Sequence, residues 1–249
     1  MNKDLFKTAR PFARLRQGRT DWYRVENKTA TGADVYIYDE IGYLGVTAQD
    51  FIKDFNAIKA PAITLHLDTP GGDVFDGINI FNAIQDHPAE VTVVVDSLAA
   101  SAGSFIAQAG DKRVMNRNST MMIHDAHGMT IGNSQDHQRM IELLDKMSNN
   151  IASIYAQKAG GTTEQWRTTM QAETWYTAEE AVEAGLADEV IVSSEKWNAG
   201  NSFDLSIFSY AGRDQAPPPV ITPVVSEPED PYQGIDWAQF ANALKGAIQ

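Results

Sequence analysis

The chain has 249 residues, of which 43% are hydrophobic and 21% are charged, as in a globular protein with a sizeable core. Its net charge of −13 indicates an acidic surface and argues against a general nucleic-acid-binding function. The absence of cysteine excludes disulfides, thiolate metal sites and a cysteine nucleophile. No apolar run is long enough to span a membrane, and the N-terminus lacks the apolar core of a secretion signal.

The first segment, residues 1–33, is predicted to be a basic N-terminal arm. Its first 20 residues carry six basic side chains and one acidic side chain. An arginine-rich, acid-poor start is also typical of an organelle transit peptide, which is the alternative interpretation.

From residue 34 onward, apolar strands alternate with amphipathic helices, which indicates an α/β domain built on a mostly parallel sheet. The predicted strands are Asp34–Asp39, Ala62–Leu67, Val91–Val95, Lys112–Met115, Thr120–His124 and Leu186–Val192. The predicted helices are Ala48–Ile58, Phe75–Ile84, Phe105–Ala109, Ser134–Lys158 and Ala178–Ala184. Capping boxes are predicted at Thr47 with Asp50, Thr162 with Gln165, and Thr177 with Glu180.

The Ser134–Lys158 helix lies outside this alternation. Its apolar residues recur every three or four positions, as in a helix that packs along one face. We expect that stripe to pack against its own domain or against another subunit.

The composition changes after about residue 194. Residues 213–233 contain six prolines and several acidic residues, which is typical of an extended, solvated linker. Residues 234–249 carry apolar side chains at helical spacing, which predicts a short amphipathic helix that docks on the body or on a partner.

Ser101 stands at a predicted strand-to-helix junction among alanine and glycine residues. Small neighbours let the backbone turn sharply and let a substrate approach the serine closely. The start of a helix also directs free N–H groups at that point. This stretch alone fits a nucleophile and an ordinary helix-capping serine equally well.

A nucleophilic serine needs a base, and His124 is the first candidate because it ends an apolar strand, where α/β sheets present functional groups. His127, in the following loop, is the second choice. The Gly71–Gly72 turn after another strand could direct backbone N–H groups into a cavity. Together with the N–H of Ala102, that turn would form an oxyanion hole.

Four motifs occur in the order seen in the ClpP family of serine peptidases, and the sequence resembles that family over roughly residues 34–193. The motifs are Thr69–Gly72, Ala99–Ser104, Met122–His124 and Thr177–Asp188. Two further stretches, Tyr38–Tyr43 and Ala172–Trp175, resemble the phage head maturation proteases of that family. The resemblance implies a ClpP/crotonase-like α/β fold of repeated β-β-α units with an added long handle-type helix.

The resemblance also implies a role for individual residues. Ser101 would be the nucleophile, His124 the base, and Gly71 and Ala102 the oxyanion hole. Counting back from Thr177 puts Glu173 at the position of the third catalytic residue, where the family has aspartate; Asp125 is an alternative acid, although its place next to His124 makes a bond to that ring awkward. The substrate would lie extended along Gly72, Asp73, Val74 and the loop that begins at Asp125.

The resemblance implies a serine endopeptidase without metal or cofactor, acting in the cytoplasm on polypeptides such as capsid or scaffold proteins. It implies a homo-oligomeric ring, either a heptamer or stacked heptamers. Within each chain, the arm comprises residues 1–33, the peptidase domain residues 34–193, the extension residues 194–233 and the terminal helix residues 234–249. The chain lacks a nucleotide-binding P-loop, so an unfoldase would be a separate protein. A scaffolding ring subunit and a crotonase-fold acyl-CoA enzyme are the alternatives.

Overall fold

The structure is a computed structural model that describes residues 23–26, 29–42, 47–192 and 203–221. The predicted terminal helix at residues 234–249 and the first 22 residues of the arm lie outside these ranges. The strands are β1 Tyr23–Glu26, β2 Ala33–Ile37, β3 Ala62–Thr69, β4 Glu90–Ala100, β5 Lys112–Asn116, β6 Thr120–Ile123, β7 Thr174–Thr177 and β8 Glu189–Ile191. The helices are α1 Ala48–Asn56, α2 Val74–Gln85, α3 Ala102–Ala107, α4 Ser134–Ala159, α5 Thr163–Gln171 and α6 Ala178–Glu183.

These strands form one mixed sheet with the order β1-β2-β3-β4-β5-β8, and β6 joins it through β4. The pairs from β2 to β5, and the pair of β5 with β8, are parallel. The inner strands β3 and β4 bury apolar side chains such as Leu65, Leu67, Val93 and Val95, as expected where helices cover a parallel sheet. The predicted mixed α/β class is therefore confirmed.

Two antiparallel strands are missing from the sequence-based prediction. β1 lies within the residues assigned to the basic arm, but it pairs with β2 at the sheet edge. β7 pairs with β6, so that Ile123 lies opposite Thr174 and Met122 lies opposite Trp175. Neither strand has the run of aliphatic residues that identified the equally short β6.

β4 is longer than predicted and carries the chain directly to Ser101. Its first half pairs with β3 and β5, and its last three residues pair with β6. Ala99 and Ala100 at its end are fully buried, although alanine is a weak strand former. Burial between neighbouring strands therefore determines the strand here, and the local sequence does not show it.

The three predicted capping boxes are present, at Thr47, Thr162 and Thr177. The long helix α4 extends one residue beyond its predicted end, and its apolar stripe is buried mainly in the second half, at Ile151 and Ile154. In the first half, the side chains of Ile141 and Leu143 are exposed.

Residues Phe203–Ala216, hereafter the C-terminal segment, pack against the sheet. Phe208 and Ala216 are buried in a second apolar cluster with side chains of β4, β6 and β7. Residues Arg213–Gln215 form a 3₁₀ turn at the point where the composition predicted a solvated linker. That prediction is wrong for residues 213–216, because the buried Ala216 and the ion-paired Arg213 attach them to the domain.

No helix in the described part of the chain is both long and apolar enough to cross a membrane.

Candidate active site

Ser101 occupies a strained turn between β4 and α3. Its φ of 52° and ψ of −119° lie in a region that residues other than glycine rarely adopt. Its side chain makes no capping hydrogen bond to the helix, so the helix-cap interpretation does not describe its position. A strained serine between a strand and a helix is the geometry that exposes a nucleophilic hydroxyl.

The structure brings Ser101 and His124 together. Oγ of Ser101 lies 2.8 Å from Nε2 of His124, within hydrogen-bond distance. The backbone N–H of Ser101 also donates to the carbonyl of Met122, at 3.0 Å. The pairing of β4 with β6 therefore holds both side chains at the same edge of the sheet.

His124 is buried, with 8% of its surface exposed. The rings of His127 and Phe208 contact it edge-on, with centroid distances of 4.3 Å and 5.4 Å. Burial, and secondarily the neighbouring His127, lower the pKa of His124 to about 3. The imidazole is therefore neutral at pH 7, and its Nε2 can accept the proton of Ser101 in the tautomer protonated at Nδ1.

The other ring nitrogen, Nδ1 of His124, is buried and has no hydrogen-bond partner among the described residues. In serine hydrolases this nitrogen is the one that an acidic side chain holds. An unsatisfied buried donor costs about 1–3 kcal/mol, so this position needs an explanation.

Glu173 and His124 lie at the same end of the β6–β7 pair but are not hydrogen-bonded to each other. Ile123 and Thr174 form the last pair of the two strands; His124 directly follows β6, and Glu173 directly precedes β7. Its carboxylate accepts hydrogen bonds from Nε1 of Trp175 at 3.2 Å, from the N–H of Ser209 at 2.7 Å and from the N–H of Tyr210 at 3.0 Å. The expected bond between Glu173 and His124 is therefore absent, because three other donors occupy the carboxylate.

Asp125, the alternative acid, is also bonded elsewhere. Its carboxylate accepts two hydrogen bonds from the guanidinium of Arg167, at 2.8 Å and 3.0 Å. Arg167 donates in addition to Asp145 of α4. Asp125 thus fixes the loop after His124 to α4 and α5, and it does not support the imidazole.

The Gly71–Gly72 turn lies against Ser101. A Cβ atom on Gly71 would lie 2.6 Å from Cβ of Ser101, so only glycine fits there. The N–H of Gly71 donates to Oγ1 of Thr69 at 3.1 Å. In contrast, the N–H of Gly72 has no acceptor in the described part of the chain. Ala102 begins α3, where the first backbone N–H groups have no acceptor within the helix.

The two remaining predicted substrate-binding residues, Asp73 and Val74, begin helix α2. The side chain of Asp73 caps the helix by accepting from the N–H groups of Phe75 and Asp76. Val74 is the first helical residue, and the exposed ring of Phe75 follows it. No group of His, Asp and Glu among the described residues is arranged to hold a metal ion.

Sequence reasoning missed Phe208, Ser209 and Tyr210, which contact His124 and Glu173. They lie in a stretch of low periodicity, with no motif to connect them to His124, more than 80 residues earlier, or to Glu173, more than 30 residues earlier.

Comparisons with known proteins agree with this geometry. The sequence model of the Clp protease family matches residues 17–194. The proteolytic subunit of the ATP-dependent Clp protease of Streptococcus pyogenes serotype M5 (strain Manfredo) is 35% identical over 156 residues, which are 61% of this chain and 76% of that protein. The corresponding subunit of Streptococcus thermophilus is 33% identical over the same length.

A solved structure of a ClpP1 mutant from Listeria monocytogenes superposes with a TM-score of 0.57 and 28% sequence identity. The superposition covers 65% of this chain and 92% of that one. The family match spans more than half of the chain and includes the whole serine–histidine site. The chain therefore belongs to the Clp protease family and is a serine-type peptidase.

Proposed function

We propose that the chain is an endopeptidase in which Ser101 is the nucleophile and His124 is the general base. The observation that carries the proposal is the 2.8 Å contact between Oγ of Ser101 and Nε2 of His124 at a strained strand-to-helix turn. A crotonase-fold acyl-CoA enzyme would not need this pair.

The reaction follows from that contact. Nε2 of His124 takes the hydroxyl proton while Oγ of Ser101 attacks the carbonyl carbon of a peptide bond. The protonated imidazole then gives this proton to the leaving amine as the C–N bond breaks. Water, deprotonated by the same nitrogen, hydrolyses the acyl-enzyme and restores the serine.

The oxyanion of the tetrahedral intermediate needs two backbone donors. Ala102 supplies one, since its N–H lies at the first position of α3. The second comes from the glycine turn, where Gly72 is the better candidate than Gly71 because the Gly71 N–H is bonded to Thr69. Gly71, which the resemblance implied as the second donor, is instead proposed to allow the close approach of the turn to Ser101.

Glu173 is the acid that we assign to Nδ1 of His124. Its position directly beyond the pair Ile123–Thr174 supports this assignment, because it places Glu173 at the same end of the ladder as His124. The assignment requires the carboxylate to leave its bonds to Ser209 and Tyr210.

The substrate that fits this site is an extended polypeptide. The backbone from Gly72 to Val74 follows Gly71, which lies against Ser101, and the loop that begins at Asp125 follows His124, so both are placed to pair with an added strand. We therefore propose that Asp73 and Val74 bind the substrate through their backbone groups, since the Asp73 side chain caps α2.

We also propose that the chain assembles into rings, as heptamers or stacked heptamers. Ile141 and Leu143 on the first half of α4 support an interface there, because large apolar side chains are exposed on one helix. The relatives are named subunits of ATP-dependent proteases, which supports a separate ATPase as the unfoldase of this chain.

A narrower proposal is that the chain matures capsid or scaffold proteins of a phage in the cytoplasm of a bacterial host. It rests on the resemblance of Tyr38–Tyr43 and Ala172–Trp175 to the phage branch of the family. Co-expression with a capsid precursor tests it: the precursor should be cleaved by the wild type and remain intact with Ser101→Ala.

Hydrolysis of a quenched fluorescent peptide library tests the endopeptidase proposal. We expect turnover by the wild type and by Ser153→Ala, which removes an exposed serine of α4, and a loss of about 10³-fold or more in Ser101→Ala. Equal turnover in Ser101→Ala would overturn the assignment. A folded, assembled wild type that cleaves no peptide would favour the scaffolding role.

A further inference from the structure

The C-terminal segment contacts the sheet directly beside the serine–histidine pair. Its Phe208 ring lies edge-on to His124 and to Trp175, with centroid distances of 5.4 Å and 5.8 Å. The same ring belongs to the buried apolar cluster that includes Leu98 and Met122. The segment therefore packs directly against the imidazole of His124.

The two residues that follow Phe208 bind Glu173. The N–H groups of Ser209 and Tyr210 donate to different oxygens of its carboxylate, Oε2 and Oε1. Hydrogen bonds from N–H groups to a carboxylate are among the stronger ones in proteins. Together with the bond from Nε1 of Trp175, they leave the carboxylate with three donors, none of which is His124.

A third attachment fixes the far end of the segment. The guanidinium of Arg213 donates to both oxygens of Glu180, at 2.6 Å and 2.5 Å. Glu180 in turn accepts from the N–H of Thr177 at the start of α6. The segment is thus attached at both ends of the strand that Glu173 precedes, β7.

These contacts lie on one face of the β6–β7 ladder. The Phe208 ring contacts both His124 and Trp175, and Nε1 of Trp175 donates to Glu173, so these groups lie on the same side of the ladder. The ladder ends at the pair Ile123–Thr174, with His124 directly after β6 and Glu173 directly before β7. The two residues therefore lie at the same end of the ladder, and the carboxylate of Glu173 is bonded to the C-terminal segment.

Two facts about this pair have a single explanation. Nδ1 of His124 is buried without a partner, and the acidic side chain across the ladder is bonded to backbone of the C-terminal segment. If the segment moved away, the carboxylate would lose two donors, and Nδ1 of His124 is the buried side-chain donor that lacks a partner among the described residues.

We propose that the C-terminal segment is an autoinhibitory element that holds Glu173 away from His124, so that its release completes the catalytic triad. This inference rests on the proposed function, since it assigns the regulation of the same site. Few polar contacts must break for its release, since the described ones to the domain are the two backbone amides on Glu173 and the ion pair of Arg213 with Glu180. An unfolded substrate, an ATPase partner or cleavage of the segment could each displace it.

The proposal is tested with two variants that weaken different attachments. Phe208→Ala removes the ring that contacts His124, and Arg213→Gln breaks the ion pair with Glu180 at the other end while leaving the apolar side chains of the cluster unchanged. Gln215→Ala, an exposed residue of the same segment, is the matched control. Far-ultraviolet circular dichroism and the oligomeric state show whether each variant folds.

The first measurement is the rate at which a fluorophosphonate probe labels Ser101. We expect both variants to be labelled about tenfold faster than the wild type and the Gln215→Ala control, a change that corresponds to about 1.4 kcal/mol in the balance between the two arrangements. Equal or slower labelling of both folded variants would overturn the proposal, since the segment would then be neutral or would support the site.

The second measurement does not depend on catalysis. In a Ser101→Ala background, the rate at which diethyl pyrocarbonate modifies His124 is compared by mass spectrometry with that of the exposed His137. We expect Phe208→Ala and Arg213→Gln to raise the ratio of the two rates several-fold, because the covered imidazole becomes accessible. An unchanged ratio in both variants would contradict the proposed displacement.

Together, the two measurements separate this inference from the proposed function. A higher ratio of His124 to His137 modification, without any labelling of Ser101, would support the proposal that the C-terminal segment covers His124 and would contradict the proposed peptidase function. Equal labelling of wild type and variants at Ser101 would retain the peptidase and reject the contact as inhibitory.

Discussion

Oγ of Ser101 lies 2.8 Å from Nε2 of His124, and the strands that carry the two residues are themselves paired. The last residue of β4 pairs with Met122 of β6, so both side chains leave the sheet at one edge. The distance between the two side chains therefore depends on the register in which β4 pairs with β6. A change in that register would separate Ser101 from His124.

The stability of the fold should depend on pH through His124. Its pKa of about 3 in the folded state lies below the ordinary value of 6.5, because burial disfavours the imidazolium. Between these two pH values the unfolded chain binds more protons, so stability falls as the pH falls. We expect His124→Gln to flatten the curve of unfolding free energy against pH over this window, measured by urea denaturation.

The control for that experiment is His137→Gln, since His137 is exposed on α4. Its curve should keep the slope of the wild type. A His124→Gln curve as steep as that of the wild type would contradict the burial of a neutral imidazole.

The ion pair between Asp125 and Arg167 should position the loop that follows His124. Both side chains are largely buried, with 25% and 15% of their surface exposed, and they make two hydrogen bonds. We expect Arg167→Gln to lower the free energy of unfolding by about 1–3 kcal/mol and to reduce kcat in peptide hydrolysis more than it changes KM. A double variant with Asp125→Arg and Arg167→Asp should recover part of both losses; recovery of neither would show that the pair is not what holds the loop.

A side chain at position 71 should disrupt the turn beside Ser101. Gly71 has a φ of 99°, and an added Cβ would lie 2.6 Å from Cβ of Ser101 and 2.8 Å from the carbonyl oxygen of Ala100. We expect Gly71→Ala to destabilise the fold by about 1–3 kcal/mol and to abolish labelling of Ser101. Gly32→Ala, where the nearest atom would be 3.8 Å away, serves as the control and should retain both properties.

The exposed apolar residues of α4 should mediate self-association. Ile141 is 54% exposed, so Ile141→Lys should change the stability of the isolated subunit by no more than about 0.5 kcal/mol. We expect the same substitution to shift the sedimentation profile to smaller species, because it places a charge in an apolar interface. Gln138→Lys, on the polar surface of the same helix, is the control; identical profiles for the two variants would argue against an interface at Ile141.

The sequence predicted most of the sheet and the pair Ser101–His124, because long apolar strands and the positions where they end are visible in local patterns. It did not predict β7, whose four residues are held by pairing with β6. It also could not show the bonds of Glu173, since these come from backbone amides more than 30 residues later. Backbone donors carry no sequence signature, and the C-terminal segment has the composition of a linker at its end.

The most direct test of Ser101 as the nucleophile is to identify the residue that a fluorophosphonate probe modifies, by peptide mass spectrometry of the assembled protein. We predict an adduct on Ser101 in the wild type and none in Ser101→Ala, with strongly reduced labelling in His124→Gln because the hydroxyl loses its base. An adduct on another residue, or equal labelling of Ser101→Ala, would contradict the assignment of Ser101 and His124 as nucleophile and base.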